Sequence, residues 1–382
     1  MRNARRTAQA AALLVAALGW RTAASATESA KPDPRSDQPL VQLALLLDTS
    51  NSMDGMIAQA KTQLWKLVNE FARSKRAGKT PRVEVALYEY GNDGLPASSG
   101  HIRQVAPLTT DLDLISEKLF SLRTNGGSEH CGQVIGVAAG ELAWSPRSAL
   151  KVIFIAGNEP FTQGPVNYRD AVKQAIGKGI IVNTVFCGNE REGIATGWRD
   201  GALLADGRYT FIDSSRQVAA VVAPQDAELA RLNQELNSTY VGYGAKGKQA
   251  KARQAMQDKN AEGAGQGAAV QRAMAKSSSN YRNDDWDLVD AARSGAAAPA
   301  AMAVDELPAE MQGMDGKQRE EYVQKLSSKR SEIQTKMQKL EAERRAQVAG
   351  EEKKRAASGE ATMDKAMLDA IHEQGAKADF KF

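Results

Sequence analysis

Between Val41 and about Ala223, short apolar runs alternate with longer segments whose apolar residues recur every three or four positions. That rhythm is the mark of an open α/β sheet with helices between its strands. Val41 to Leu47 is an almost unbroken apolar run, as expected of a central strand buried on both faces. Met56, Ile57, Ala60, Leu64, Val68 and Phe71 then follow at helical spacing, predicting a helix that packs one face back on the sheet. Val83 to Tyr90 reads as a second strand, and Ile102 to Ala106 as a short edge strand. Leu112, Ile115, Leu119 and Leu122 trace a helix, and a glycine-containing loop from Thr124 to Gly132 leads into another through Val134, Ile135, Ala138 and Leu142. Val152 to Ile155, Ile180 to Phe186 and Arg208 to Ile212 complete the strands, with helices across Ala171 to Ile176 and near Ala202. The fold class predicted is α/β, a doubly wound and mainly parallel sheet, followed by a mostly helical, partly disordered C-terminal region.

After Pro224 the pattern changes. Asp226 to Asn237 reads as a helix, whereas Gly242 to Ser279 is rich in Ala, Gly, Lys and Gln with few apolar anchors. Tyr281, Trp286, Leu288 and Val289 form a small apolar island suited to docking on the α/β domain. Ser294 to Ala303 has the composition of a linker. From Lys317 to about Val348, Leu326, Ile333 and Leu340 stand seven residues apart in a densely charged segment, while Lys329 and Arg330 interrupt a second seam. A coiled-coil helix and a single solvated helix both fit this pattern. The expected organisation is a signal peptide over 1–26, a linker over 27–39, the α/β domain over 40–223, a docked helical extension over 224–293, a linker over 294–316 and a charged helical region over 317–382.

The N-terminus alters the meaning of the charge. Arg2, Arg5 and Arg6 precede an apolar run from Ala8 to Trp20, and Ala24-Ser25-Ala26 makes a small-x-small cleavage site, predicting export with cleavage after Ala26. The run is shorter than the roughly 18 to 20 residues of a spanning helix, and no later segment approaches one. A soluble periplasmic or secreted protein is expected. The 382 residues carry 50 Lys and Arg against 46 Asp and Glu. All of that excess lies in Arg2, Arg5, Arg6 and Arg21, so the mature chain is balanced and offers no electrostatic case for nucleic acid or an anionic membrane.

The chemistry with most content follows the first strand, in Asp48-Thr49-Ser50-Asn51-Ser52-Met53. In an open α/β sheet the loops at the carboxyl ends of the strands form the ligand crevice. Asp48, Ser50 and Ser52 place one carboxylate and two hydroxyls in one tight turn, hard oxygen donors suited to Mg2+ or a similar divalent ion.

Here the sequence resembles the von Willebrand factor A-type (VWA) domain, whose metal-ion-dependent adhesion site (MIDAS) opens with this pattern. The resemblance runs from Pro39 to Ala223 and includes Gly126-Gly127-Ser128, where the family has Gly-Gly-Thr. It implies that Ser128 is a fourth metal-site residue. The family's third position, an Asp followed by Gly, is here Ala156-Gly157, so one carboxylate is gone; Glu129 and Glu159 are the acids placed by sequence to substitute, directly or through water. The resemblance therefore implies a weakly held Mg2+, with Mn2+ or Ca2+ as alternatives. The wider phrases Asn125 to Gly132, Phe154 to Gly164, Val185 to Trp198 and Trp286 to Ala291 are similar to those of a group of exported bacterial VWA proteins. In the VWA layout Cys131 and Cys187 share one rim, and in an exported protein this implies a disulfide between them.

Three functions from different classes follow. The first is a binding module whose ion accepts a carboxylate from another exported or envelope protein. The second is a metal-free scaffold that assembles as a homo-oligomer through its C-terminal helices. The third is a metal-dependent hydrolase, for which Glu129 and His130 are the only tempting bases; no H-E-x-x-H or G-x-S-x-G motif supports it. The binding module is preferred, and no enzyme activity is expected.

Overall fold

The structure, a computed structural model, describes residues 37–212, 221–356 and 363–382. The signal segment, its cleavage after Ala26 and the linker as far as residue 36 lie outside the described residues. Six strands, β1 (Leu40–Asp48), β2 (Arg82–Tyr90), β3 (Ile102–Thr109), β4 (Ala149–Gly157), β5 (Ile180–Cys187) and β6 (Tyr209–Ile212), form one sheet in the order β3-β2-β1-β4-β5-β6. All neighbours are parallel except β3, which pairs antiparallel at one edge. In register, Asp48 pairs with Tyr90, Leu47 with Ala156, and Gly157 with Phe186. The carboxyl ends of four strands therefore meet on one rim.

Alternation along the strands divides the core in two. Val41, Leu43, Leu45 and Leu47 face α1 (Asp54–Arg73) and α2 (Leu112–Ser121), while Ala44 and Leu46 face α3 (Cys131–Glu141) and α4 (Tyr168–Gly177). Two short helices, α5 (Glu190–Ala195) and α6 (Trp198–Leu203), cross the end of β5. The edge strand β3 runs three residues beyond its predicted end, and α5 carries too little periodicity to be read from sequence.

Beyond residue 223 the chain adds α7 (Asp226–Asn237), α8 (Gly244–Gly263), α9 (Gln266–Ser277), α10 (Leu288–Ser294), α11 (Gly316–Ala356) and α12 (Met363–Lys377). The stretch with few apolar anchors is held instead by buried charge. Arg272, 1 % exposed, donates to Asp113 on α2 at 2.7 Å and to the Gln254 carbonyl at 3.0 Å, and it also pairs with Asp258. Lys276 donates to the same Asp258 at 2.8 Å, and Tyr281 closes the group with a 2.6 Å bond to Asp113. Of the apolar island, Tyr281 and Trp286 lie in the core shared with the sheet, and Leu288 and Val289 in a separate cluster.

The stretch expected as a linker over 294–316 is ordered: it makes three 3-10 turns, and Leu307 and Met311 are buried with Leu288, Val289 and Val323. Along α11, Ile333 and Met337 join the main core, so the chain itself covers part of the heptad stripe. Arg330, read as an interruption, is a keystone: it bonds Asp287 at 2.6 Å, Asp290 at 2.8 Å and the Thr239 carbonyl at 2.6 Å, over the ring of Tyr240. The helix is therefore no free solvated rod over this stretch. Finally α12 packs on the α1 side of the sheet through Met367, Ala370 and Ile371. Gln374 exchanges amide hydrogen bonds of 2.6 and 3.1 Å with Asn183 of β5.

Candidate metal centre

Burial of β1 delivers Asp48 to the rim fully shielded from solvent. Its Oδ1 accepts the Ser50 N–H at 2.7 Å, the local turn that makes Asp a natural residue here. The turn is pinned from three directions. Thr49 N–H donates to the Tyr90 carbonyl at 2.8 Å, Asn51 N–H to the Gly126 carbonyl at 3.1 Å, and Asn125 N–H to the Thr49 carbonyl at 2.9 Å. Met53, wholly buried, anchors the exit into α1. Within this frame the Ser50 and Ser52 hydroxyls lie 3.0 Å apart, and Ser52 also donates to Asn158 Oδ1 at 3.1 Å on the loop after β4.

Glu129 completes the floor. It is 2 % exposed, its N–H donates to Gln163 Oε1 at 2.7 Å, and its side chain approaches Asp48 across Gly91. A Cβ on Gly91 would lie 2.8 Å from both Asp48 Oδ1 and Glu129 Cγ, and the residue has φ +78°, so glycine is required twice over. Ser128 is half-buried and joined to Gly91 by an isolated β-bridge, which sets its backbone beside the two acids. Glu159 is half-buried on the loop beyond Gly157, and its carbonyl accepts Trp198 Nε1–H at 2.8 Å. Ala156 faces Leu45, Leu47, Phe154 and Val185 beneath α1, where it offers no oxygen. The acid that stands beside Asp48 is Glu129, on the second loop.

Electrostatics make the pair unusual. Burial pushes the Asp48 carboxyl well above the ordinary range, and the neighbouring Glu129 charge pushes it further. Burial likewise raises Glu129, opposed by hydrogen bonding to Asp48 and Ser50, with the Glu159 charge adding to the rise. Asp48 Oδ2 and Glu129 Oε2 are both buried without a hydrogen-bond partner. Such atoms are costly unless something compensates them. Two orphaned carboxylate oxygens beside two hydroxyls are a hard, anionic donor set, and they fit a divalent cation of the Mg2+ type. Among the described residues no three His, Cys, Asp or Glu side chains are gathered to hold a metal by themselves, so hydroxyls have to contribute.

Sequence reading missed Asn158, Gln163 and Gly91. Gly91 alone carried a signal, as a glycine directly after a strand ending at the rim. It also implied a disulfide, and the structure overturns that pairing. Cys131 and Cys187 are both free and buried. They share a rim but not a face: Cys187 packs in the core under α1, and Cys131 in the core under α3, with the sheet between them. His130 faces His101, with ring centroids 6.2 Å apart.

The fold and the site together define a doubly wound α/β protein with an oxygen-lined recess at the carboxyl rim of its sheet. Residues 42–193 match the von Willebrand factor type A domain family, and the chain carries a VWA domain over that span. Solved structures with similarity include the conserved hypothetical protein BatB from Bacteroides thetaiotaomicron, at 19% identity over 45% of this chain and 90% of that one, TM-score 0.35. A von Willebrand factor type A protein from Catenulispora acidiphila shows 18% identity over 46% of this chain and 40% of that one, TM-score 0.36. Proximal thread matrix protein 1 from the mussel byssus, with a zinc-occupied MIDAS motif, shows 14% identity over 47% and 43%, TM-score 0.33. No curated protein matches the chain. Among the described residues no helix is long and apolar enough to cross a membrane.

Proposed function

We propose that this is an exported protein-binding module that recognises another exported or envelope protein through a divalent ion. Asp48, Ser50, Ser52 and Ser128 would hold the ion, with Glu129 as the second carboxylate and Glu159 as an acid behind it. The observation that carries this reading is the pair of buried, unpartnered oxygens on Asp48 and Glu129 beside the Ser50 and Ser52 hydroxyls. When bound, Mg2+ or Mn2+ supplies an electrophilic position for a partner's carboxylate. The chain's own part is to fix the donors: the Asp48 turn, the Gly126 carbonyl and the Asn158 bond hold Ser52 at the open side of the site.

In this reading the VWA domain spans 40–223, and the helices of 224–293 and 317–382 buttress it. For the hydrolase alternative, the candidate base His130 packs against His101 and Gly164. Calorimetric titration with Mg2+ and Mn2+ tests the proposal: saturable binding is expected in the natural chain and its loss in Asp48→Ala. Capture of envelope proteins that resists chelator would sink the metal-dependent mechanism.

A further inference from the structure

The loop after β4 offers no oxygen through Ala156, yet two of its amide side chains reach the oxygen cradle of Asp48, Ser50, Ser52 and Glu129. Asn158 Oδ1 accepts the Ser52 hydroxyl at 3.1 Å, and Gln163 Oε1 accepts the Glu129 N–H at 2.7 Å. Both amides act as acceptors and both are neutral, so they tie down the donor loops without adding charge beside two acids that already repel each other.

The loop is fixed by bonds outside the cradle. Tyr90 donates its hydroxyl to the Ala156 carbonyl at 2.9 Å, Trp198 Nε1–H donates to the Glu159 carbonyl at 2.8 Å, and Phe161 N–H to the Thr196 carbonyl at 2.9 Å. Phe161 is wholly buried, its ring centroid 4.7 Å from that of Trp198 and 5.1 Å from that of Tyr168. Asn158 stands in the chain between the first two of these anchors, so the place of its amide is set before Ser52 meets it.

A hydroxyl has one proton and two lone pairs. Ser52 commits its proton to Asn158, so it meets Ser50, 3.0 Å away, and the rest of the cradle through lone pairs alone. That is the orientation a cation requires, because a positive charge repels the hydrogen end of an O–H bond and attracts its oxygen. Without the Asn158 acceptor, the Ser52 proton is left to compete with an ion for the unpartnered carboxylate oxygens of Asp48 and Glu129. We infer that Asn158 is a positioning residue of the cradle, which accepts the Ser52 proton and so presents the Ser52 oxygen to a divalent ion. The loop with no carboxylate at Ala156 then serves by orienting a ligand that another loop supplies. The inference rests on the divalent-ion reading proposed above.

The test is calorimetric titration of the full chain with Mg2+ and with Mn2+, accompanied by urea unfolding in chelator. Asn158→Ala should bind either ion about ten- to a hundredfold more weakly, the scale on which metal affinity responds to a lost outer hydrogen bond, while its metal-free urea midpoint stays close to that of the natural chain. Asn158→Asp keeps an acceptor for the Ser52 proton and should bind at least as tightly as the natural chain. In a Ser52→Ala background, which has no proton to place, Asn158→Ala should cause little further loss. Unchanged affinity in Asn158→Ala overturns the inference and leaves the divalent-ion reading standing. Asn158→Asp as weak as Asn158→Ala overturns it as well, and so does a full further loss in the Ser52→Ala background. An Asn158→Ala chain that does not fold without metal assigns the residue to the fold and has the same consequence. A natural chain that binds neither ion overturns both readings together.

Discussion

Two buried acid pairs in this protein have opposite fates. Asp113 and Asp258 are buried against Arg272 and Lys276, so their charges are answered within the chain. Asp48 and Glu129 are as deeply buried, yet among the described residues each keeps an unpartnered oxygen. Burial of charge costs several kcal/mol per ion unless it is paired. The first pair has a structural solution inside the helical extension, and the second has none among the described residues. The difference separates a clamp from the proposed binding site, although the residue types are the same.

Breaking the compensated pair should have the largest effect. Arg272→Leu strands Asp113 and Asp258 together, with a loss of about 3 to 5 kcal/mol in urea unfolding; a loss below about 1 kcal/mol would show that the clamp is not needed. Asp48→Asn should sharpen the contrast. Without metal it removes one of two repelling acids and should leave stability unchanged or raised. It should also abolish the gain of about 2.7 kcal/mol expected for the natural chain at Mg2+ one hundredfold above its Kd. Equal Mg2+ protection of both proteins in thermal melts would refute the assignment.

The clamp should also respond to pH. Lys276 is fully buried, and burial lowers its ammonium to about 8, with Asp258 opposing the shift and Arg272 and Asp113 nearby. Between that value and its ordinary one the unfolded chain binds the extra proton, so stability should rise from pH 8 to 9.5 and be lost as pH falls through about 8. The slope is at most about 1.4 kcal/mol per pH unit. Denaturant midpoints for Lys276→Met should lose this slope, and an unchanged slope would assign it elsewhere. Gly91→Ala is the smallest perturbation, about 1 to 3 kcal/mol from its left-handed backbone and the clash with both cradle acids. Urea midpoints equal to those of the natural chain would mean that the acids move apart freely.

The VWA half was legible because its signals are local. The apolar run of β1 announces a strand buried on both faces, and Asp48, Ser50 and Ser52 follow it directly, so strand and donors arrive in one short phrase. The helical half was harder to read because its anchors are Arg272, Lys276 and Arg330, which look like solvent-facing residues until their acids are found elsewhere in the chain. The same limit hid the faces of the two cysteines. Their common rim follows from strand order, but the side of the sheet each occupies depends on alternation in β5 and on the packing of α3.

By itself, then, the sequence determined the α/β alternation, the rim on which the strand ends meet, and the hydroxyl-and-acid turn after β1, since each depends on periodicity and nearest neighbours. Tertiary structure alone decided that Glu129 and not Glu159 faces Asp48, that Arg330 is a keystone and not a flaw, and that the cysteines never meet. Those outcomes turn on which charges are brought together out of water. Pairing of that kind depends on distances between residues far apart in the chain, which no local pattern encodes.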